Sequence, residues 1–574
     1  MQAAMKTLQI HADYIVYDPL RREGSVYEDV EPAPKEFRDL VVLFTCVEED
    51  DDADVVSHLT KEVASSLSQL GVETLLIYPY AHLSSKLAPP QRALHLLRQL
   101  EDEARGLGLK VYRAPFGWNK KFTLSIKGHP LAEQYRSVTR ESIYARRGEA
   151  AVREVGERVE EGRETLHTQL GRELDLFSIN PLLGSGFPLF HEKGWIIREE
   201  LIRLIRESNT RMGFREVWTP HVFRSDIWYK TGHHEYYRER MFTLVARGEE
   251  YVVKPMNCPA HAMIYASRPR SYKELPIMYS EFGTVYRNEQ PGELTGLFRV
   301  RSITQDDGHV FARLDQVGDI IAMILREAFR ILKITLRGDM YVTLSTRPEK
   351  FIGDPSVWDM ATDSLKTALE AIVPHYEVKT GEGAFYGPKI DVDVVDSLGR
   401  RWQCSTIQLD FFLPERLGLE YIDSDGSRRR PIMIHRAILG SIERFIGILL
   451  EHYNWRLPFW LAPTQLAVLP VSIRNLEYAH QVKERVETEG LRAELLTEGT
   501  LEKRLRSAHQ ARASFMVIVG DEEERSGTVS LRDYRGRNVR RIAFEELLAW
   551  LKKLYQERAK NIGEIDETLR AGLL

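Results

Sequence analysis

Apolar and polar positions follow three different rhythms along the chain. Up to about residue 143 short apolar runs alternate with helical stripes. Runs at 8–17, 40–47, 72–80 and 110–116 read as strands. Between them, 55–71 and 90–108 carry apolar residues at helical spacing, the first closed by Gly71. This predicts an α/β unit over 1–143. Residues 144–173 are rich in Arg and Glu with a sparse apolar stripe, which predicts a charged helical linker.

From 174 to 460 the rhythm changes. A long helix (195–213) precedes a strand at 215–222, and further strands are expected at 251–255, 282–287 and 298–304. Strands that cluster without regular strand–helix alternation predict a largely antiparallel α+β sheet. From 461 to 574, strand and helix alternate again: a helix at 476–490, a buried strand at 514–520, a hairpin at 527–537 and an amphipathic helix at 544–558. That pattern predicts a small parallel-sheet domain.

Composition refines this outline. Of 574 residues, 43% are hydrophobic and 28% charged, enough apolar material for several cores. A net charge of −5 argues against a wholly basic nucleic-acid coat and leaves room for a local basic surface. Cys46, Cys258 and Cys404 are odd in number and far apart, so a disulfide framework is not expected and a reducing, cytoplasmic setting is. No secretory leader is apparent and no apolar run approaches a membrane span.

Chemistry concentrates at 280–310. Two strand-like runs flank Pro291-Gly292 and Gly296, the mark of a hairpin with a long tip. Arg287 and Glu289 are two apart and on a strand would share a face, as a nucleotide site or as a surface ion pair. Downstream, Arg444 sits on an otherwise apolar helix behind Gly440 and Ser441. It must pair internally or hold an anion. Cys258 and His261 form a C-x-x-H half-site to a local reader.

These stretches resemble the three signature motifs of class II aminoacyl-tRNA synthetases. "GWIIREELIRLIRESNTRMGFREVWTP" resembles the first, "TVYRNE…RVRSIT" the second and "GSIERF" the third. More narrowly, "KPMNCPAHAMIY", "RNEQPGELTGLFRVRSITQDDGH", "GEGAFYGPKIDV", "WQCSTIQLDF" and "MIHRAILGSIERFIGILLE" resemble the threonyl-tRNA synthetase family. "HADYIVY", "IYPYAHLSS", "RAPFG" and "KGHPLAE" resemble an archaeal-type editing domain related to D-aminoacyl-tRNA deacylases. The implied architecture is an α/β editing domain, an antiparallel-sheet class II catalytic domain and an α/β anticodon-binding domain at 461–574.

The resemblance also implies roles. Arg287 and Arg444 would be catalytic. Arg287, Glu289, Arg299, Gln403 and Arg444 would hold ATP with Mg²⁺. Cys258, His309 and His435 would bind Zn²⁺, although their spacing alone does not reveal them. Three protein ligands leave zinc open to the amino and hydroxyl groups of threonine. Met256, Gln305, Asp307, Tyr386 and Gln408 would complete that pocket, with His261 and Asp306 structural. Valine lacks the hydroxyl, and rejection on that basis reaches roughly 10⁴–10⁵; serine lacks only a methyl, worth about 10–200-fold. A second sieve is therefore expected, with His82, Lys120 and Glu133 as its polar residues. Ser84 and Ser85 could cap a helix while His82 faces the pocket.

Ile303, Trp118-Asn119, Arg525 and Tyr534 depart from the family pattern at the adenine, editing and anticodon sites. The implied partners are tRNA(Thr), ATP, threonine and a second subunit through the first motif. A regulator without catalysis, or a stand-alone proofreading hydrolase, would predict broken motif or zinc positions. Here those positions are intact.

Overall fold

The computed structural model describes residues 5–138 and 165–565 except 337 and 455. It divides into two compact units, Met1–Val159 and Glu160–Leu574.

The first unit is built on one strand, Met5–Arg22. One edge pairs with Lys35–Cys46, and the other pairs in succession with Trp118–Ile126 and Glu133–Val138. Thr74–Pro79 and Lys110–Arg113 extend the sheet in parallel. Successive side chains point to opposite faces. Val41, Leu43, Leu75 and Ile77 therefore pack with the helices Ala53–Leu70 and Pro90–Gly106. Val42, Phe44, Leu76 and Tyr78 face the other way into an aromatic cluster. Asp52 caps the first helix, and Gly71, with φ +65°, ends it as expected.

The second unit contains an eight-stranded sheet in the order Glu377–Lys379, Met340–Ser345, Lys389–Val395, Arg401–Asp410, Ile432–Ser441, Ser302–Ala312, Ile277–Tyr286, Arg215–Glu216. The two outermost pairings are parallel and the rest antiparallel. Helices Glu192–Met212, Val317–Thr335, Pro355–Glu370 and Ile442–His452 supply its apolar core. The C-terminal sheet runs Ala493–Leu495, Leu466–Pro470, Phe515–Val519, Thr528–Asp533, Asn538–Ala543. It is mixed rather than parallel, because the hairpin expected near 527–537 joins it antiparallel.

Three local expectations fail. Only Arg215–Glu216 of 215–222 joins the large sheet. Pro220 lacks an N–H, Thr219 gives its own to Glu281, and Val222–Arg224 enters a separate three-stranded sheet. The strand expected at 298–304 starts only at Ser302 and runs to Ala312, because the Arg299 N–H bonds Thr295 O within the loop and the Arg301 N–H goes to Gly186 O. The 144–173 linker falls largely outside the described residues. Its last part, the helix Leu166–Glu173, is not a solvated linker: His167 is fully buried against Glu451.

Candidate active site and metal centre

A cleft of about 730 Å³ opens over the central strands. Arg287, Glu289, Arg299, Gln403, Arg444, Met256, Gln305, Asp307, Tyr386, Gln408, Cys258, His309 and His435 all line it. Gln305, Asp307 and His309 alternate along Ser302–Ala312 and so share a face. Arg287 and Glu289 do not share a strand face: their strand ends at Tyr286 and both belong to the loop that follows.

At one end the charges are unevenly matched. Glu289 is buried and takes the guanidinium of Arg240 and that of Arg299, the latter at 2.9 and 3.0 Å. Arg299 also reaches Glu293 at 3.3 Å. The alternative of an ion pair between Arg287 and Glu289 is not what forms: Glu289 pairs with Arg240 and Arg299 instead. Arg287 donates to Pro255 O at 3.4 Å and faces the Tyr237 ring at 5.7 Å. Arg444 faces the Trp402 ring at 5.6 Å, and burial lowers its pKa. Among the described residues neither Arg287 nor Arg444 forms an ion pair, which leaves both guanidinium charges without a carboxylate partner. Gly440 and Ser441 end a strand, and Ser441 caps the helix that bears Arg444. Gln403 is held by Asp391 at 2.7 Å.

At the other end Cys258, His309 and His435 are buried, with donor atoms within 4.8 Å of one another. Each has an outer contact. His309 Nδ1 lies 2.8 Å from His261 Nδ1, and His435 Nε2 lies 2.9 Å from Asp410 Oδ2. His233 Nε2 lies 3.9 Å from the Cys258 sulfur. A sulfur and two imidazole nitrogens suit zinc. Burial, with Asp307 and Asp410 nearby, pushes the Cys258 thiol well up. A cation in the cluster would reverse that preference and release a proton.

Asp307 accepts from Asn257 Nδ2 at 3.0 Å, and Tyr386 donates its hydroxyl to Gln408. Asn257 fits only because residue 283 is glycine: a Cβ there would lie 2.4 Å from its amide. Asp306 is fully buried and accepts from the backbone N–H groups of Ile438, Leu439 and Gly440. Arg436 also approaches Asp306, at 3.5 Å. Asp306 thus joins two strands beneath the cleft.

The first unit has its own cleft, about 320 Å³, lined by His82, Lys120, Trp118, Asn119, Tyr78 and Tyr80 among others. Lys120 donates to Pro115 O at 2.9 Å and Trp118 O at 3.0 Å and lies over the Tyr78 ring. Burial brings its pKa down to about 8. Glu133 is not brought into this cleft; it is exposed on Glu133–Val138, opposite Ile10. Ser84 is not a helix N-cap: it follows the short turn Ala81–Leu83 as its C-cap, and the next helix starts after Pro89. The Ser84 hydroxyl bonds the buried Glu48, which Lys6 pairs at 2.7 Å, so it secures the turn that carries His82.

Three segments match known families. Residues 5–138 match the archaea-specific editing domain of threonyl-tRNA synthetase. Residues 242–453 match the tRNA synthetase class II core domain (G, H, P, S and T), and residues 465–554 an anticodon binding domain. The chain is 46% identical over 412 residues to the threonine–tRNA ligase catalytic subunit of Sulfurisphaera tokodaii, covering 71% of this chain and 76% of that protein.

The chain belongs to the threonyl-tRNA synthetase family.

The corresponding subunit of Saccharolobus islandicus is 48% identical over 396 residues, 68% of this chain and 73% of that one. A crystal structure of the RNA binding domain of threonyl-tRNA synthetase from Cryptosporidium parvum superposes with a TM-score of 0.65 at 36% identity, covering 67% of this chain and 98% of that chain. A class II ligase core, an archaeal-type editing domain and an anticodon-binding domain thus occur in one chain of this threonyl-tRNA synthetase family. Among the described residues no helix is long and apolar enough to cross a membrane. All three cysteines are free and buried.

Sequence reasoning missed Arg240, Asn257, Asp410 and His233, whose neighbours in space lie far away in the chain. It saw His261 through the C-x-x-H spacing and gave it a structural or packing role.

Proposed function

We propose that the central cleft joins threonine to tRNA(Thr) through threonyl-adenylate and that the N-terminal cleft hydrolyses seryl-tRNA(Thr). The gathering of Arg287, Arg444 and the Cys258–His309–His435 cluster in one cleft carries the first half of this reading.

The threonine carboxylate attacks the α-phosphorus of ATP, forming the mixed anhydride as the bond to the pyrophosphate oxygen breaks; Mg²⁺ bound with the nucleotide would offset the phosphate charge. Arg287 holds the α-phosphate and the carboxylate. Arg444 and Arg299 hold the distal phosphates, and Glu289 accepts from the adenine amino group. Arg299 must then leave Glu289, exchanging one ion pair for another. Gln403 lies by the nucleoside. Phe298 and Trp402, with ring centroids 4.5 Å apart, offer the aromatic surface that Ile303 lacks. Catalysis is positioning and charge stabilisation. Cys258, His309 and His435 would hold zinc, which would supply a Lewis acid for the amino and hydroxyl groups of threonine. Asp307 accepts from that hydroxyl, and Met256, Gln305, Tyr386 and Gln408 close the pocket. Threonine-dependent pyrophosphate exchange with one zinc per chain is the test. Full metal occupancy without exchange would overturn it.

In the editing unit, His82 and Lys120 position the seryl ester and its water. His82→Ala or Lys120→Ala should slow seryl-tRNA hydrolysis at least roughly 10²-fold, with threonylation unchanged. Two variants that still hydrolyse at the wild-type rate would remove the assignment. The Lys120 ammonium is lost as pH rises through about 8. The wild-type rate should therefore fall relative to Lys120→Arg above that pH, since arginine stays charged. Glu133 would act only from outside this cleft.

Trp195 and Trp218 stand 50% and 71% exposed in the first motif, which supports a homodimer through that face. The free cysteines support a cytoplasmic setting.

A further inference from the structure

His309 reaches its ring geometry through a buried polar chain that the reaction does not touch. Glu281 takes the Thr219 N–H at 2.8 Å, the Thr219 hydroxyl at 2.9 Å and the Lys254 ammonium at 3.4 Å. The oxygen that takes the Thr219 hydroxyl, Oε2, also meets His261 Nε2 at 3.1 Å. Lys254 itself is anchored by Thr219 Oγ1 at 2.8 Å and Thr219 O at 3.2 Å. All of Lys254, His261 and Glu281 are buried.

Donor and acceptor rules then run in one direction. A carboxylate only accepts, so His261 Nε2 carries a hydrogen. In the neutral ring this leaves His261 Nδ1 as the acceptor. Its partner at 2.8 Å, His309 Nδ1, must donate. The lone pair of His309 is thereby placed on Nε2. His435 is fixed independently and with the opposite sense: its Nε2 meets Asp410, which leaves Nδ1 for a metal. The two histidines would present different ring nitrogens, each selected by a different carboxylate.

We propose that His261, held by Glu281 and Lys254, is a positioning residue that presents His309 Nε2 to the metal. This rests on the zinc reading above. Outer partners of metal-bound histidines typically contribute about 10–100-fold in metal affinity. Only one of three ligands is governed by this chain, so its loss should weaken zinc binding without abolishing it.

The test is zinc affinity of the full-length protein, by competition with a chromophoric chelator. His261→Leu fills the volume but accepts no hydrogen bond, and should bind zinc about 10–100-fold more weakly. His261→Asn keeps an acceptor near the Nδ1 position and should restore most of that loss. The KM for threonine should follow zinc affinity across the two variants, and the KM for ATP should not. If His261→Leu fails to fold, Glu281→Gln takes its place, because an amide no longer forces the His261 Nε2–H. Unchanged zinc affinity in the folded His261→Leu, or in Glu281→Gln, would overturn the inference alone. Equal weakening in His261→Leu and His261→Asn would also overturn it, since a packing role predicts that. A wild-type protein that holds no zinc would overturn the metal reading and this inference together.

Discussion

Cys258→Ala should yield a folded protein that holds little zinc and no longer tells threonine from valine. The argument is one of unmatched groups. Valine has the shape of threonine, so an apolar pocket separates the two poorly. A site whose polar groups are left unpaired by valine rejects it by roughly 10⁴–10⁵. On the proposed reading those groups would be the metal and Asp307, itself held by Asn257. With the sulfur gone, His309 and His435 remain ordered by His261 and Asp410, but two nitrogens hold zinc far less well than three donors. The threonine-to-valine ratio of kcat/KM in pyrophosphate exchange should fall from roughly 10⁴ towards parity, mainly because threonine is activated more slowly. Metal content by mass spectrometry and exchange with threonine, serine and valine provide the measurement. A variant without zinc that still discriminates would sink the metal's role. Serine behaves differently, because it keeps the hydroxyl in wild type and variant alike. That is why a zinc pocket would need a second sieve, the role proposed for the cleft lined by the exposed His82 and the half-buried Lys120.

The parts of this arrangement that follow local rules were legible in the chain. Gly71 ends its helix where its φ of +65° requires glycine. The helical stripe at 195–213 becomes Glu192–Met212. Where tertiary bonds override the pattern, the sequence misleads. Residues 298–301 alternate like a strand, yet Arg301 N–H goes to Gly186 O and Arg299 bonds Thr295 in the loop. The 165–173 segment looks solvated until Glu451, 284 residues from His167, accepts from its ring at 2.7 Å. The Cys258–His309–His435 cluster is the extreme case. Its side chains come from a helix start and two adjacent strands, and His309 and His435 are direct cross-strand partners. No spacing rule encodes such a pairing, and only the family resemblance pointed to it. The departure at Glu133 marks the reverse limit: a resemblance transfers a residue type, but the fold decides which cleft it faces.

Arg287→Ala should lower adenylate formation roughly 10²–10³-fold while leaving zinc content and seryl-tRNA hydrolysis unchanged. Arg287 sits past the end of its strand with one long bond to Pro255 O and an aromatic ring beside it. Among the described residues it has no carboxylate to neutralise it, so its removal strands no partner. Thermal stability should therefore stay level or rise, the pattern of a residue kept for the reaction rather than the fold. Glu289 offers the contrast, since Arg240 and Arg299 both depend on it. Glu289→Ala should lose stability as well as ATP affinity. Arg287→Lys should recover only part of the rate, because a single ammonium cannot grip phosphate and carboxylate as a planar fork does. Single-turnover adenylate formation, read beside the melting temperature, separates these outcomes. An Arg287→Ala protein that melts several degrees lower with its adenylation rate intact would make Arg287 a residue of the fold rather than of the reaction.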